Sequence, residues 1–162
     1  MDRKTSVELT NMCMVYDNNG NVLVEKKNLP DGSTGLIFPG GHVESNESVV
    51  DSMIREMYEE TGLSISNLEF CGIKDWIEFD QSRYMVFLYK TISFVGCIKS
   101  SSEGEIFWMP IDELKKGKPL WHRGSLTPNS WLIGAQIIQH FSLSLRLLLR
   151  TTRIAIFSFH GN

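Results

Sequence analysis

The chain has 162 residues, 42% of them apolar and 22% charged, proportions of an ordinary globular protein that exclude a disordered chain. The net charge of −3 hides a division: residues 1–113 hold all 19 acids, and residues 114–162 hold none but carry 7 of the 16 Lys and Arg. An acidic body lacks the basic surface that binding to nucleic-acid phosphates requires, so no stable nucleic-acid complex is expected, and the basic tail reads as solvated scatter.

In chain order, VELTNMCMVYD and NNGNVLVEKK predict two strands around a tight Asn-Asn-Gly turn. NLPDGSTG is a loop of turn formers, and LIF a short strand stopped by Pro39-Gly40-Gly41. Ser45 and Asn46 are N-cap candidates and Gly62 suits the position just past a helix, which predicts a helix from about residue 47 to 61. LEFCGIKDWIEF and RYMVFLYKTISFVG predict long strands, EIFWMP a shorter one, and IDELKKG a short helix ended by Gly117. From Asn129 to Arg150 the spacing is helical, with Trp131, Ile138, Phe141, Leu145 and Leu149 as its apolar stripe. Strands around one well-marked helix, with a second late, predict an α/β (α+β) fold, a mixed sheet covered by helices on its faces. The length suits one domain over residues 1–162.

Cys13, Cys71 and Cys97 lack CxxC spacing and read as small apolar residues in strands of a protein from a reducing compartment. His42, His122, His140 and His160 lack zinc-type spacing. The N-terminus has no continuous apolar core, and Arg146, Arg150 and Arg153 interrupt the apolar end. No signal peptide or membrane span is therefore expected, and the cytoplasm is the expected compartment.

On a helical wheel, Val50, Met53, Ile54 and Met57 share the expected core face, and Glu56, Glu59 and Glu60 converge on an adjacent arc. Like charges at these spacings repel by a few tenths of a kcal/mol per pair, and they sit at the helix end where the macrodipole disfavours anions. A solvated acidic face is the ordinary explanation of such a triplet. A bound divalent cation would instead turn repulsion into attraction, and oxygen ligands are the chemistry of Mg²⁺ or Mn²⁺.

Spacing decides between them. Gly41, Glu47, Arg55, Glu56, Met57, Glu59, Glu60, Gly62 and Leu63 match the Nudix box, G-x5-E-x7-R-E-U-x-E-E-x-G-U with U apolar, at every fixed position. Chance agreement is on the order of 10⁻¹⁰ per starting point. The chain resembles Nudix hydrolases, and the resemblance implies an α/β/α sandwich in which the box forms a loop–helix–loop. It implies hydrolysis of a nucleoside diphosphate derivative, with Glu56, Glu59 and Glu60 as metal ligands and the Gly40 carbonyl as a further one. Arg55 would orient a carboxylate, Glu47 would brace the loop, and Gly40 and Gly41 would let backbone approach metal and phosphate. The general base would be Glu56 or a carboxylate on a later loop, where Glu105 is the first choice and Glu103 the second.

Phe79, Asp80 and Gln81 stand where ADP-ribose and dinucleoside polyphosphate hydrolases carry their signals. What remains resembles the MutT-type group, which implies cleavage of nucleoside triphosphates, 8-oxo-dGTP in particular, to monophosphate and pyrophosphate. Open alternatives are a dinucleoside polyphosphate, a sugar nucleotide, capped RNA, or a Nudix-fold binding module without turnover. Asn129 resembles the base-reading asparagine of that group and equally suits an N-cap. Trp76, Phe79, Tyr84 and Trp121 would stack on a base or fill the core. A monomer or homodimer is expected.

Overall fold

In a computed structural model of the protein, residues 4–28 and 34–116 are described. Trp121, Asn129, Gly117 and the predicted helix from Asn129 to Arg150 lie outside the described residues. The elements in order are β1 (Val7–Val15), β2 (Asn21–Asn28), β3 (Thr34–Ile37), α1 (Val49–Thr61), β4 (Leu63–Ser66), β5 (Glu69–Ile77), β6 (Arg83–Thr91), β7 (Ser93–Gly96), β8 (Gly104–Pro110) and α2 (Ile111–Lys116).

One sheet is mixed: β6 runs parallel to β1 and antiparallel to β5, in the order β1-β6-β5. A second, antiparallel sheet has the order β3-β2-β8, and β4 pairs with β7. The alternating side chains of β1 serve two cores. Met12 and Met14 pack with Val22, Val24, Val86, Leu88 and, from α2, Ile111 and Leu114. Cys13 and Val15 pack with Leu23, Tyr89, Ile106 and, from α1, Met53 and Met57. With helices over both faces, β1 has no polar side from Thr10 onward, which explains its unbroken apolar run, Met12 to Val15. The fold is the expected α+β arrangement.

Several local expectations are corrected. The Asn-Asn-Gly turn does not close a ladder between β1 and β2, which meet at one bridge, Tyr16 to Val22, and then join different sheets. One edge of β1 is taken by β6 and the other by residues 39–43, so β2 has no edge to pair with. The turn is held by the Asp17 carboxylate, which accepts from the amides of Asn19 and Asn21 at 2.8 Å each. RYMVFLYKTISFVG is two strands, because Thr91 turns the chain by accepting from the Ser93 amide (2.9 Å) while donating to the Ser66 carbonyl (2.6 Å). Its second part pairs with β4, a strand the sequence reading did not separate.

Helix α1 is capped by Ser48 rather than Ser45 or Asn46: the Ser48 hydroxyl accepts from the Asp51 amide and donates to the Asp51 carboxylate. Val50 is exposed, and Ser52 and Thr61 take buried places on the helix instead. Both have polar work there. Ser52 accepts from the Asn11 side-chain amide (2.8 Å), and Thr61 donates to the Met57 carbonyl (2.6 Å). Gly62 closes the helix in the left-handed region (φ +75°), its amide bonding the Tyr58 carbonyl. All three cysteines are free thiols; Cys97 lies exposed beyond β7 rather than in a strand.

Candidate active site

Residues 39–43 are strapped antiparallel along the edge of β1. The amides of Asn11 and Cys13 donate to the carbonyls of Gly41 (2.9 Å) and Pro39 (3.0 Å), and the Val43 amide donates to the Leu9 carbonyl (2.9 Å). The Gly40 carbonyl is not used by these bonds. Gly40 sits so close to β1 that a Cβ would press on the Asn11 carbonyl oxygen and lie 2.7 Å from the Met12 Cα. A Cβ on Gly41 would lie 2.5 Å from both carboxylate oxygens of Glu56. The two glycines thus do different things: one admits the neighbouring strand, the other admits a carboxylate.

Arg55 is the hub of the first acidic group. Its Nε and Nη2 grip both oxygens of Glu47 (3.0 and 2.6 Å), and Nη1 donates to Glu56 (3.0 Å) and Glu59 (2.9 Å). Nη2 also donates to the His42 carbonyl at 3.1 Å, tying the guanidinium to the strap. Such bidentate pairing fixes angle as well as distance. The Arg55 hydrogen bonds hold the Glu47 carboxyl down to about 2. Half-buried Glu56 is pushed above its ordinary range by desolvation, which outweighs its bond to Arg55.

Glu60 belongs to a second group. It is 3% exposed, accepts from the Gly40 amide (2.9 Å), and is pushed up to about 8 by burial and then by Glu25. Lys27 lies 3.3 Å from Glu25, 3.6 Å from Glu60 and 3.3 Å from Glu103. One oxygen each from Glu25, Glu60 and Glu103 fall within 4.8 Å of one another. Burial alone would depress the Lys27 ammonium, but Glu60, then Glu25 and Glu103, raise it.

The structure therefore brings Gly40, Gly41, Glu47, Arg55, Glu56, Glu59, Glu60 and Glu103 together, while Gly62 ends the helix and leaves room for the Cys97 carbonyl. Glu105 is set apart. In the β2–β8 register it lies opposite Lys26, whereas its neighbour Ile106 lies opposite Glu25 in the core under α1. Alternation sends the exposed Glu105 to the other face of the sheet. There it borders, with Lys26, Asn28 and residues 100–104, an open cleft of ≈ 350 Å³; Glu103 lines the same cleft, but its carboxylate reaches Lys27. Of the aromatic candidates, Trp76 stacks on Tyr84 (4.7 Å, 19°) in the core, and Phe79 is exposed. Glu25 and Lys27 were missed. Their signal was parity: in NVLVEKK they follow Leu23 at two-residue steps, on the same face as an apolar core residue.

The donors are all oxygen, two of the carboxylates are buried, and Gly41 cradles a third. That set fits a hard divalent cation. Residues 9–128 match the NUDIX domain family. The chain belongs to the Nudix family of hydrolases. It is 37% identical over 84 residues to the Nudix hydrolase YvcI of Bacillus subtilis, a match covering 49% of this chain and 53% of that protein. It is 28% identical over 115 residues to the phosphatase NudJ of Shigella boydii, covering 69% and 74%. The chain thus spans about half the length of the first of these relatives. Among solved structures, the MutT protein of Bacillus halodurans is similar at 32% identity and TM-score 0.58, over 67% of this chain and 72% of that one. The ORF135 protein of E. coli shares the fold at TM-score 0.69 and 17% identity, over 88% and 92%. Nudix hydrolases use divalent metal, which the acidic cluster suits. No described helix is long and apolar enough to cross a membrane.

Proposed function

We propose that this Nudix chain hydrolyses phosphoric anhydride bonds of nucleotides with Mg²⁺, Mn²⁺ substituting, and that nucleoside triphosphates such as 8-oxo-dGTP yield monophosphate and pyrophosphate. The observation that carries this reading is the convergence of Glu56, Glu59, Glu60 and Glu103 beside the strapped glycines. An anionic substrate cannot approach so many carboxylates unaided, and Mg²⁺ would supply the bridging charge and polarise the phosphoryl oxygen. Glu56, Glu59, Glu60 and the Gly40 carbonyl would hold it. Arg55 positions Glu56 and Glu59, and Glu47 fixes Arg55. Glu103, 58% exposed and ion-paired with Lys27 in the cluster, would take the proton of the attacking water, with Glu56 as the other candidate; Glu105, turned to the opposite face, ranks behind both.

Similarity to a MutT protein supports the triphosphate substrate. The relative named a phosphatase supports a second reading, in which orthophosphate is released. Incubating a nucleotide panel with Mg²⁺ and measuring both products separates them. Pyrophosphate is expected, and Glu59→Gln should abolish its release while the protein stays folded. No pyrophosphate from any triphosphate would overturn the first reading, and orthophosphate alone would establish the second.

A further inference from the structure

Glu25 has no place in the Nudix pattern, yet it is the most confined acid of the cluster. It is 1% exposed, and neither of its oxygens accepts a hydrogen bond among the described residues. Room for it is made across the β2–β8 pair by Gly104, where a Cβ would lie 2.6 Å from Glu25 Oε1 and 2.8 Å from its Cγ. Its one cationic partner among the described residues is the Lys27 ammonium, which must also serve Glu60 and Glu103.

One ammonium is shared among three carboxyl groups, two of them buried, and both oxygens of Glu25 are left without a hydrogen bond among the described residues where water cannot reach. A carboxylate kept for structure alone is normally given direct donors. Glu25 has the shared Lys27 ammonium at 3.3 Å in place of a dedicated donor, and one of its oxygens lies within 4.8 Å of oxygens of Glu60 and Glu103. We propose that Glu25 supplies a ligand to a second divalent-cation position, shared with Glu60 and Glu103 and held by Lys27 until the cation arrives. The proposal rests on the metal-dependent reading above.

The dimensions suit it. Opposite ligands of Mg²⁺ lie about 4.2 Å apart, so oxygens already within 4.8 Å need shift by less than about 1 Å. Lys27 is 31% exposed, and its flexible stem can withdraw the ammonium to solvent. Gly104 gives the Glu25 carboxylate its place without a competing side chain.

The test is Mn²⁺ titration of the full chain, followed by calorimetry and by the paramagnetic signal of free Mn²⁺, for wild type, Glu25→Gln, Lys27→Met and Glu59→Gln. Glu25→Gln should lose one class of bound Mn²⁺ or weaken it at least tenfold, and its metal-free Tm should equal or exceed that of wild type. Lys27→Met should tighten that class several-fold and lower the metal-free Tm. Glu59→Gln should weaken the other class. Wild-type stoichiometry and affinity in Glu25→Gln would overturn the proposal alone. So would unchanged Mn²⁺ affinity in Lys27→Met, which decides the matter if Glu25→Gln does not fold. A lower metal-free Tm in Glu25→Gln with Mn²⁺ binding intact would mark Glu25 as merely structural. Failure of the wild type to bind Mn²⁺ at all would instead overturn the metal-dependent reading itself.

Discussion

Two adjacent glycines should fail in opposite ways when given a methyl group. In Gly40→Ala the new Cβ meets backbone of β1, the Asn11 carbonyl and Met12 Cα, at a residue whose φ is +155°. Strand backbone cannot move aside locally, so the strap must lift. Lifting it weakens the bonds from Cys13 to Pro39 and from Asn11 to Gly41, each worth about 1 kcal/mol net. Overpacking adds about 1–3 kcal/mol. The expected loss is about 3–5 kcal/mol, or roughly 10 °C in Tm for a chain of this size. In Gly41→Ala the obstacle is the far end of a flexible side chain, Glu56, which must retreat by about 1 Å to restore ordinary contact. Stability should fall by under about 1 kcal/mol, apart from the strained Arg55 bond. A carboxylate displaced that far should reduce kcat about 10²-fold. Urea unfolding and Mg²⁺-dependent turnover of both variants provide the assay. Equal destabilisation of the two, or a Gly41→Ala enzyme within threefold of wild type, would refute this division of roles.

Glu103→Gln should lower kcat by at least about 10²-fold, while Glu105→Gln should stay within about threefold, because strand parity sends Glu105 to the opposite face; comparable losses in steady-state assays would remove Glu103 from the base role. The pH dependence of the metal-free protein follows from Glu60, whose carboxyl is pushed from 4.5 up to about 8 by burial and then Glu25. Between those values the native state binds more protons than the unfolded chain, so this contribution is fully present below about pH 4.5 and is lost as pH rises through about 8. Its ceiling is about 5 kcal/mol, reduced because Glu25 and Lys27 titrate with it. Glu47, held down at about 2, acts only on the acid side of that window. With EDTA present, Tm should fall from pH 5 to 8.5, and a flat or rising profile would contradict the assignment.

What could be read from the sequence was whatever depended on local spacing. Arg55, Glu56, Glu59 and Glu60 lie on one turn and a half of helix, so their convergence follows from helical pitch, and Gly62 ends the helix where left-handed geometry is needed. Contributions that depend on pairing between distant strands were not legible. Glu25 enters the cluster only because β2 meets β8 in a register that sets it beside Ile106 and against Gly104. The preference for Glu105 over Glu103 had the same origin: the two share parity in the sequence, and they part only because the strand begins at Gly104 and leaves Glu103 in the loop before it. At the Asn-Asn-Gly turn, local chemistry correctly marked a reversal but not the competition for the edges of β1. At Ser48 the cap fell later than expected because Glu47 was already committed to Arg55 and to the Glu44 amide.

The strap between residues 39–43 and β1 is made of main-chain bonds, donated by the amides of Asn11, Cys13 and Val43. At Cys13 and Val43 the side chain can change without loss of the strap's hydrogen bonds, because every amino acid but one brings the same amide. Proline is that exception, lacking the hydrogen. So far as hydrogen bonding decides it, the anchorage at Cys13 and Val43 is accordingly closed to a single residue type, whereas at Asn11 the side chain counts as well, because its Oδ1 accepts from the Gly41 amide (3.2 Å).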